Sequence, residues 1–144
     1  MTTQVQRFTL TPYPFAGNYS GSMSGSISGC ADPASNDPAF RGRYGLIAME
    51  AGDQSATLTF TFVDTNHAGI VCTMSGPLTH FGRLYQLTNG QISCTGPGLN
   101  TGPQPGTVNS LHRTGQGIEG HWTGSVGNGC AASFHFAAVL NVNN

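Results

Sequence analysis

The chain of 144 residues carries a formal net charge of -1 at pH 7, with 8% charged residues, 21 Gly and 8 Pro. This length is typical of a single compact domain, and 38% hydrophobic residues is enough to form a buried core. Five scattered arginines and the absence of lysine argue against a nucleic-acid partner. No apolar run approaches the ~20 residues of a membrane-spanning helix, so we expect no membrane span.

The hydrophobic pattern predicts strands along the whole chain. In the clearest alternation, Leu58, Phe60 and Phe62 share one face while threonines share the other. No window has apolar residues at helical spacing without an interrupting Gly or Pro. We predict nine strand segments, at 17–28, 43–50, 55–65, 70–76, 83–87, 91–95, 107–113, 118–125 and 131–140.

Glycines, prolines and asparagines predict the connections between these strands. The dipeptide Asn89-Gly90 is the strongest hairpin signal, because a type I′ turn requires positive φ at both central residues. It predicts a turn between the segments at 83–87 and 91–95. Prolines and glycines at 31–40 and 96–106 disfavour regular pairing, so we expect long loops there.

Eight or nine short antiparallel strands, joined mainly by hairpins, predict an all-β up-and-down barrel, with a β-sandwich as the alternative. We favour the barrel because closure removes unpaired sheet edges. Glycines in the first strand favour the bend that closure requires. The pattern G-x-aromatic-hydroxyl-G-S followed by Gly-Cys occurs at both 17–30 and 120–130, which predicts that the first and last strands form one wall. Residues 16–144 are expected to form this single domain.

Four cysteines without a Cys-x-x-Cys pair favour two disulfides over a zinc site, with four buried thiols in a reducing compartment as the alternative. If the first strand lies antiparallel to the last, Ser28 falls near Ala131, which predicts a Cys30–Cys130 bond. The remaining pair is Cys72–Cys94, which forms only if the segment at 83–87 does not separate their strands. Disulfides predict a secreted or extracytoplasmic location. Residues 1–15 lack the apolar core of a secretory signal, so export implies a leader removed before Met1.

Three ionisable residues near the C-terminus are the weak candidates for chemistry. A tight turn at 126–129 places Glu119 opposite His135 and His121 diagonal to it, all on one face. Such a trio can form a metal site or a proton-transfer cluster. The alternative is an outward Glu–His pair that faces water, and we expect no resident metal or cofactor. The opposite face, with Trp122, is expected to form core.

Two further groups have both structural and functional interpretations. Asp64 and His67 flank a turn and are expected to cap it through side-chain hydrogen bonds, with a catalytic pair as the alternative. Several aromatic residues are sufficient for a sugar-stacking platform, although core packing is the favoured interpretation. These aromatic residues are Tyr13, Phe15, Tyr19, Tyr44, Phe81, Tyr85 and Trp122.

The N-terminal arm at 1–15 combines an alternating segment with Pro12 and Pro14. An extended segment before a proline hinge pairs with its own sheet or adds a strand to a neighbouring subunit. Self-pairing or disorder of the arm is the favoured interpretation, with strand exchange between subunits, and hence self-association, as the alternative.

Taken together, these motifs resemble small secreted Gly/Ser/Thr-rich bacterial β-proteins of uncharacterised function. The resemblance is carried by an early G-x-Y-x-G strand, the runs at 72–79, 90–94 and 117–120, and a late Gly-Cys. A looser analogy is to avidin-like and lipocalin-like barrels, although a single Trp does not support a tryptophan-lined biotin pocket. The resemblance implies a scaffold and assigns no catalytic residue.

The resulting functional hypothesis is a secreted or cell-surface, non-catalytic β-domain that acts in extracellular assembly or binding. A barrel that binds a small apolar ligand or a glycan is the first alternative. A small hydrolase or cyclase that uses the histidine-bearing face is the second.

Overall fold

The computed structural model describes residues 15–141, apart from 52, 53, 82, 83, 97, 98 and 128. It contains eight strands and one short 3-10 helix. The strands are β1 (Gly17–Ser28), β2 (Asp37–Ala51), β3 (Ser55–Phe62), β4 (Val71–Phe81), β5 (Leu84–Gly96), β6 (Leu99–Arg113), β7 (Gly117–Gly127) and β8 (Cys130–Leu140). The 3-10 helix, Pro33–Ser35, lies between β1 and β2. No helix among these residues is long and apolar enough to cross a bilayer.

The eight strands form a closed antiparallel barrel in which each strand pairs with its neighbours in sequence. The last strand pairs with the first, with Ser28 opposite Ala131 and Tyr19 opposite Leu140. The predicted up-and-down barrel is therefore confirmed, and the β-sandwich alternative is wrong. The predicted arm at 1–15 lies outside the described residues except for Phe15.

The count is eight strands because the segments predicted at 83–87 and 91–95 belong to one strand, β5. Asn89 has the positive φ expected of a turn, 55°. However, the chain continues in the same direction, and the registers of β5 with β4 and β6 shift around this residue. Asn89-Gly90 is thus a β-bulge and not the predicted hairpin turn. A bulge uses the same left-handed conformation to keep two strands paired while it bends them.

The two predicted long loops are also shorter than expected. Most of 96–106 belongs to β6, which contains Pro103 and Pro105. Pro103 lies where the register between β5 and β6 shifts, at a position that tolerates proline, whereas Pro105 lies opposite Gln91 in a regular stretch. The segment at 31–40 contains the 3-10 helix, which Asp32 caps by accepting a hydrogen bond from Ala34 N at 3.0 Å. β2 then begins at Asp37.

Both predicted disulfides are present, and no cysteine is free. Cys30–Cys130 joins the segment after β1 to the start of β8, beside the closing pair of strands. Cys72 lies directly opposite Cys94, because β5 pairs with β4 and no strand separates them. Both bonds lie at the same end of the barrel, here called the disulfide end. Two disulfides fit a protein that works outside the reducing cytoplasm.

Side chains fill the central part of the barrel. The fully buried ones are mainly aromatic and aliphatic, and Trp122 is the largest. Glycines provide room for them, since a methyl group added at Gly106 would overlap the Trp122 ring and one at Gly120 would lie 2.5 Å from Phe136 Cζ. The predicted core face of β7 and β8 is confirmed.

The end opposite the disulfides is closed by Phe15 and the residues around Glu50. The Glu50 carboxylate accepts hydrogen bonds from Phe15 N at 2.7 Å and Ala16 N at 3.0 Å. The ring of Phe15 packs edge-on against Tyr85, with ring centroids 4.9 Å apart. Phe15 is fully buried, so the start of the described chain forms the floor of the barrel.

Removal of the seam disulfide tests its contribution to closure. We expect the Cys30→Ala/Cys130→Ala variant to lose up to about 4.7 kcal/mol of unfolding free energy, since the bond spans a separation of 100 residues. The Cys72→Ala/Cys94→Ala variant should lose less, up to about 3.4 kcal/mol, because its separation is 22 residues. Urea unfolding of both variants measures the difference. A seam variant as stable as the wild type contradicts this role.

A methyl group at Gly106 tests the packing of the barrel interior. We expect Gly106→Ala to lose about 1–3 kcal/mol, because the added carbon overlaps the fully buried Trp122 ring. Gly102→Ala is the matched control on the same strand, since nothing lies within 4 Å of the added carbon. Thermal and urea unfolding measure the stability of the two variants. Equal stability would contradict the prediction, because the Trp122 ring would then move aside at no cost.

Candidate functional site

The histidine-bearing face of β7 and β8 has a different register from the predicted one. His121 lies opposite His135, whereas Glu119 lies opposite Ala137. The prediction that Glu119 faces His135 is therefore wrong by two residues. The difference arises in the hairpin between β7 and β8. The register shifts there, so that Gly127 lies opposite Cys130, where the prediction placed Gly124. All three side chains remain on the outer face, because the shift is an even number of residues.

The three candidates have separate partners in this register. His121 Nε2 lies 2.8 Å from Ser133 Oγ, and the rings of His121 and His135 are 6.4 Å apart between centroids. Glu119 instead lies beside His112 on β6, at 3.4 Å between Oε2 and Nε2. Within the described ranges, no group of three His, Cys, Asp or Glu residues has a geometry that holds a metal ion. The alternative of an outward Glu119–His135 pair is also not found, since Glu119 lies beside His112 and His135 lies opposite His121.

The aromatic residues considered for a sugar platform lie mainly in the core. Five of them are buried: Phe15, Tyr19, Tyr44, Tyr85 and Trp122. Tyr13 and the side chain of Phe81 lie outside the described part of the chain. These five buried rings therefore form no exposed surface on which a sugar could stack.

A cavity of about 210 Å³ lies inside the barrel at the disulfide end. Its wall is almost entirely apolar and comes from all eight strands and from the adjoining loops. The lining residues that matter for its chemistry are Met23, Phe40, Phe62, His67, Cys72, Met74, Cys94, Thr101, Val126, Cys130 and Phe134. The exposed residue Ser35 of the 3-10 helix also lines it, so the cavity reaches the surface beside that helix.

The turn between β3 and β4 places an imidazole in this wall. His67 Nδ1 lies 2.6 Å from Asp64 Oδ2, and the ring packs 4.8 Å from Phe40 and 5.8 Å from Phe62 between centroids. Asp64 Oδ1 also accepts a hydrogen bond from Arg43 N at 3.1 Å. The structure thus shows the predicted capping contacts and adds that His67 lines a cavity.

These contacts determine the ionisation of Asp64. Partial burial of this carboxyl opposes ionisation, but the hydrogen bonds from His67 and from Arg43 N outweigh it and lower the pKa of Asp64 below 3.8. Asp64 therefore stays ionised at neutral pH and holds the Nδ1 side of the imidazole ring.

One polar group of the cavity wall is unpaired. Thr101 Oγ1 is buried and has no hydrogen-bond partner among the residues that the structure describes. Thr101 was not among the predicted site residues, because it lies in the segment at 96–106 that was expected to be a loop. The cavity was not predicted either. The two predicted disulfides indicate only that the wall is cross-linked there.

The Asp64 contact gives a pH-dependent contribution to stability. Because the pKa is lowered by folding, ionised Asp64 stabilises the folded state above about pH 3.8, and this contribution is lost as the pH falls through the lower folded pKa. We expect Asp64→Asn to lose about 1 kcal/mol at pH 7, with a difference from wild type that shrinks in acid. Urea unfolding at several pH values measures it. A difference that is constant with pH contradicts this assignment.

The chain was compared with protein-family models, with curated proteins and with solved structures. None of these comparisons gives a match. The functional assignment therefore depends on the site itself.

Proposed function

We propose that this protein is a secreted or cell-surface binding protein that holds a small, mainly apolar molecule in the cavity at its disulfide end. The observation that carries the proposal is an apolar cavity of about 210 Å³ at one end of a barrel whose central part is filled by buried side chains. A barrel core packed to normal density leaves few voids larger than a water molecule. The unfilled apolar volume at the disulfide end is an exception to this packing, which supports a role in ligand binding.

The size of the cavity limits the size of the ligand. An apolar cavity of ~150 Å³ holds a benzene-sized molecule, while pockets for drug-sized ligands begin at ~300 Å³. A volume of about 210 Å³ therefore suits a molecule of one or two rings, or a short branched chain.

The cross-links support a preformed cavity. Cys72–Cys94 joins two wall strands directly, and Cys130 anchors the start of β8 at the same end. A wall that is rigid before binding loses little conformational entropy when a ligand enters. The apolar wall provides the free energy of transfer from water, about 25 cal/mol per Å² of buried apolar surface.

A cavity-filling substitution tests the proposal. Val126 lines the cavity, so Val126→Phe should occupy it and abolish binding of small aromatic molecules. Val139→Phe is the matched control, because Val139 is 57% exposed on the outer face. We expect toluene and p-cresol to raise the melting temperature of the wild type and of the control, with the stabilisation rising as the logarithm of concentration.

Two results of this experiment contradict the proposal. Melting curves of the wild type that neither compound shifts would leave the cavity without a ligand-binding role. Equal shifts in Val126→Phe and Val139→Phe would place the bound compound elsewhere on the molecule.

A further inference from the structure

We propose that the ligand is a hydroxylated aromatic molecule of one or two rings, a member of the phenol class. This inference rests on the proposed binding function and adds the chemistry of the bound molecule. It is derived from two kinds of group in the cavity wall, aromatic rings and sulfur, and from two of the polar residues among them, His67 and Thr101.

One part of the wall consists of aromatic rings. Phe40 packs against Phe134 at 5.1 Å and against Phe62 at 6.2 Å between centroids, with the second pair nearly perpendicular. His67 contacts both Phe40 and Phe62. Tilted and edge-to-face ring contacts stabilise by about 0.5–1.5 kcal/mol beyond the buried area. An aromatic guest can extend this cluster, whereas an aliphatic guest of equal volume cannot.

Another part of the wall consists of sulfur. The thioethers of Met23 and Met74 and the Cys72–Cys94 disulfide line the same cavity. Methionine sulfur makes favourable contacts with aromatic ring edges, worth about 0.3–1.5 kcal/mol each. A flat ring held among phenyl groups and thioethers is therefore the guest that gains the most from this wall.

The two polar groups indicate a hydroxyl on that ring. Asp64 occupies His67 Nδ1 at 2.6 Å, so Nε2 is the ring nitrogen through which this cavity-lining imidazole can pair with a ligand. Thr101 also lines the cavity, and its Oγ1 is buried without a partner among the described residues, which is costly; rotation about its Cα–Cβ bond would turn this hydroxyl toward a ligand. A hydroxyl group both donates and accepts, so it satisfies either group, whereas a plain hydrocarbon satisfies neither.

Isothermal titration with three compounds of similar size tests the inference. We expect p-cresol to bind about tenfold more tightly than toluene, which lacks the hydroxyl, and than methylcyclohexanol, which lacks the aromatic ring. The full chain with both disulfides intact is the protein used. Equal affinity for p-cresol and toluene overturns the hydroxyl assignment while the proposed binding function stands. Absence of binding by all three compounds removes both proposals.

Two variants test the role of the polar groups. His67→Phe keeps an aromatic ring in the wall and removes the imidazole nitrogens, and Thr101→Val removes the unpaired hydroxyl with little change of shape. We expect His67→Phe to lower the affinity for p-cresol several-fold more than the affinity for toluene, because only p-cresol has a hydroxyl that pairs with the imidazole. Thr101→Val should lower the affinity for p-cresol several-fold and remain folded, since it removes an unpaired buried polar group. An equal loss for both compounds, or no loss in either variant, overturns the assignment.

Discussion

The pairing of β1 with β8 is the interaction on which the rest of this structure depends. Ten consecutive residues of β1, from Tyr19 to Ser28, lie opposite β8. Without this pairing the molecule would be an open sheet with two exposed edges and no enclosed interior. Cys30–Cys130 joins the two strands' disulfide ends, so hydrogen bonds and a covalent bond hold the same seam.

Small residues allow the seam to close tightly. A side chain at Gly21 or Gly25 would run into the backbone of β8. In the space that Gly21 leaves, the buried hydroxyl of Tyr44 reaches across β1, to Ser22 O at 3.1 Å and to Ala137 O on β8 at 3.0 Å. Burial raises the pKa of this hydroxyl well above its ordinary value, so Tyr44 stays neutral and binds backbone carbonyls of both seam strands.

The two ends of the closed barrel differ, and this difference gives the molecule a candidate site. At one end, Phe15 and the Glu50 carboxylate close the interior with aromatic packing and hydrogen bonds to the chain before β1. At the other end, the disulfides cross-link the wall, but the side chains do not fill the space between them. Because the wall is cross-linked and encloses unfilled apolar space, this end of the barrel is suited to bind a small molecule.

The sequence by itself determined the fold class, the closing pair of strands and the Cys30–Cys130 bond, whereas Cys72–Cys94 also required that no strand separate the two cysteines. Alternating hydrophobicity is a local property with a fixed period of two, and the repeated Gly-Cys pattern marks the two strands that meet. Only the tertiary structure decided the bulge at Asn89, the register that places His121 opposite His135, and the cavity that contains His67 and Thr101. Positive φ suits a bulge as well as a turn, and a register depends on the whole hairpin. A cavity is the volume left after all eight strands have packed, so no local pattern of residues specifies it.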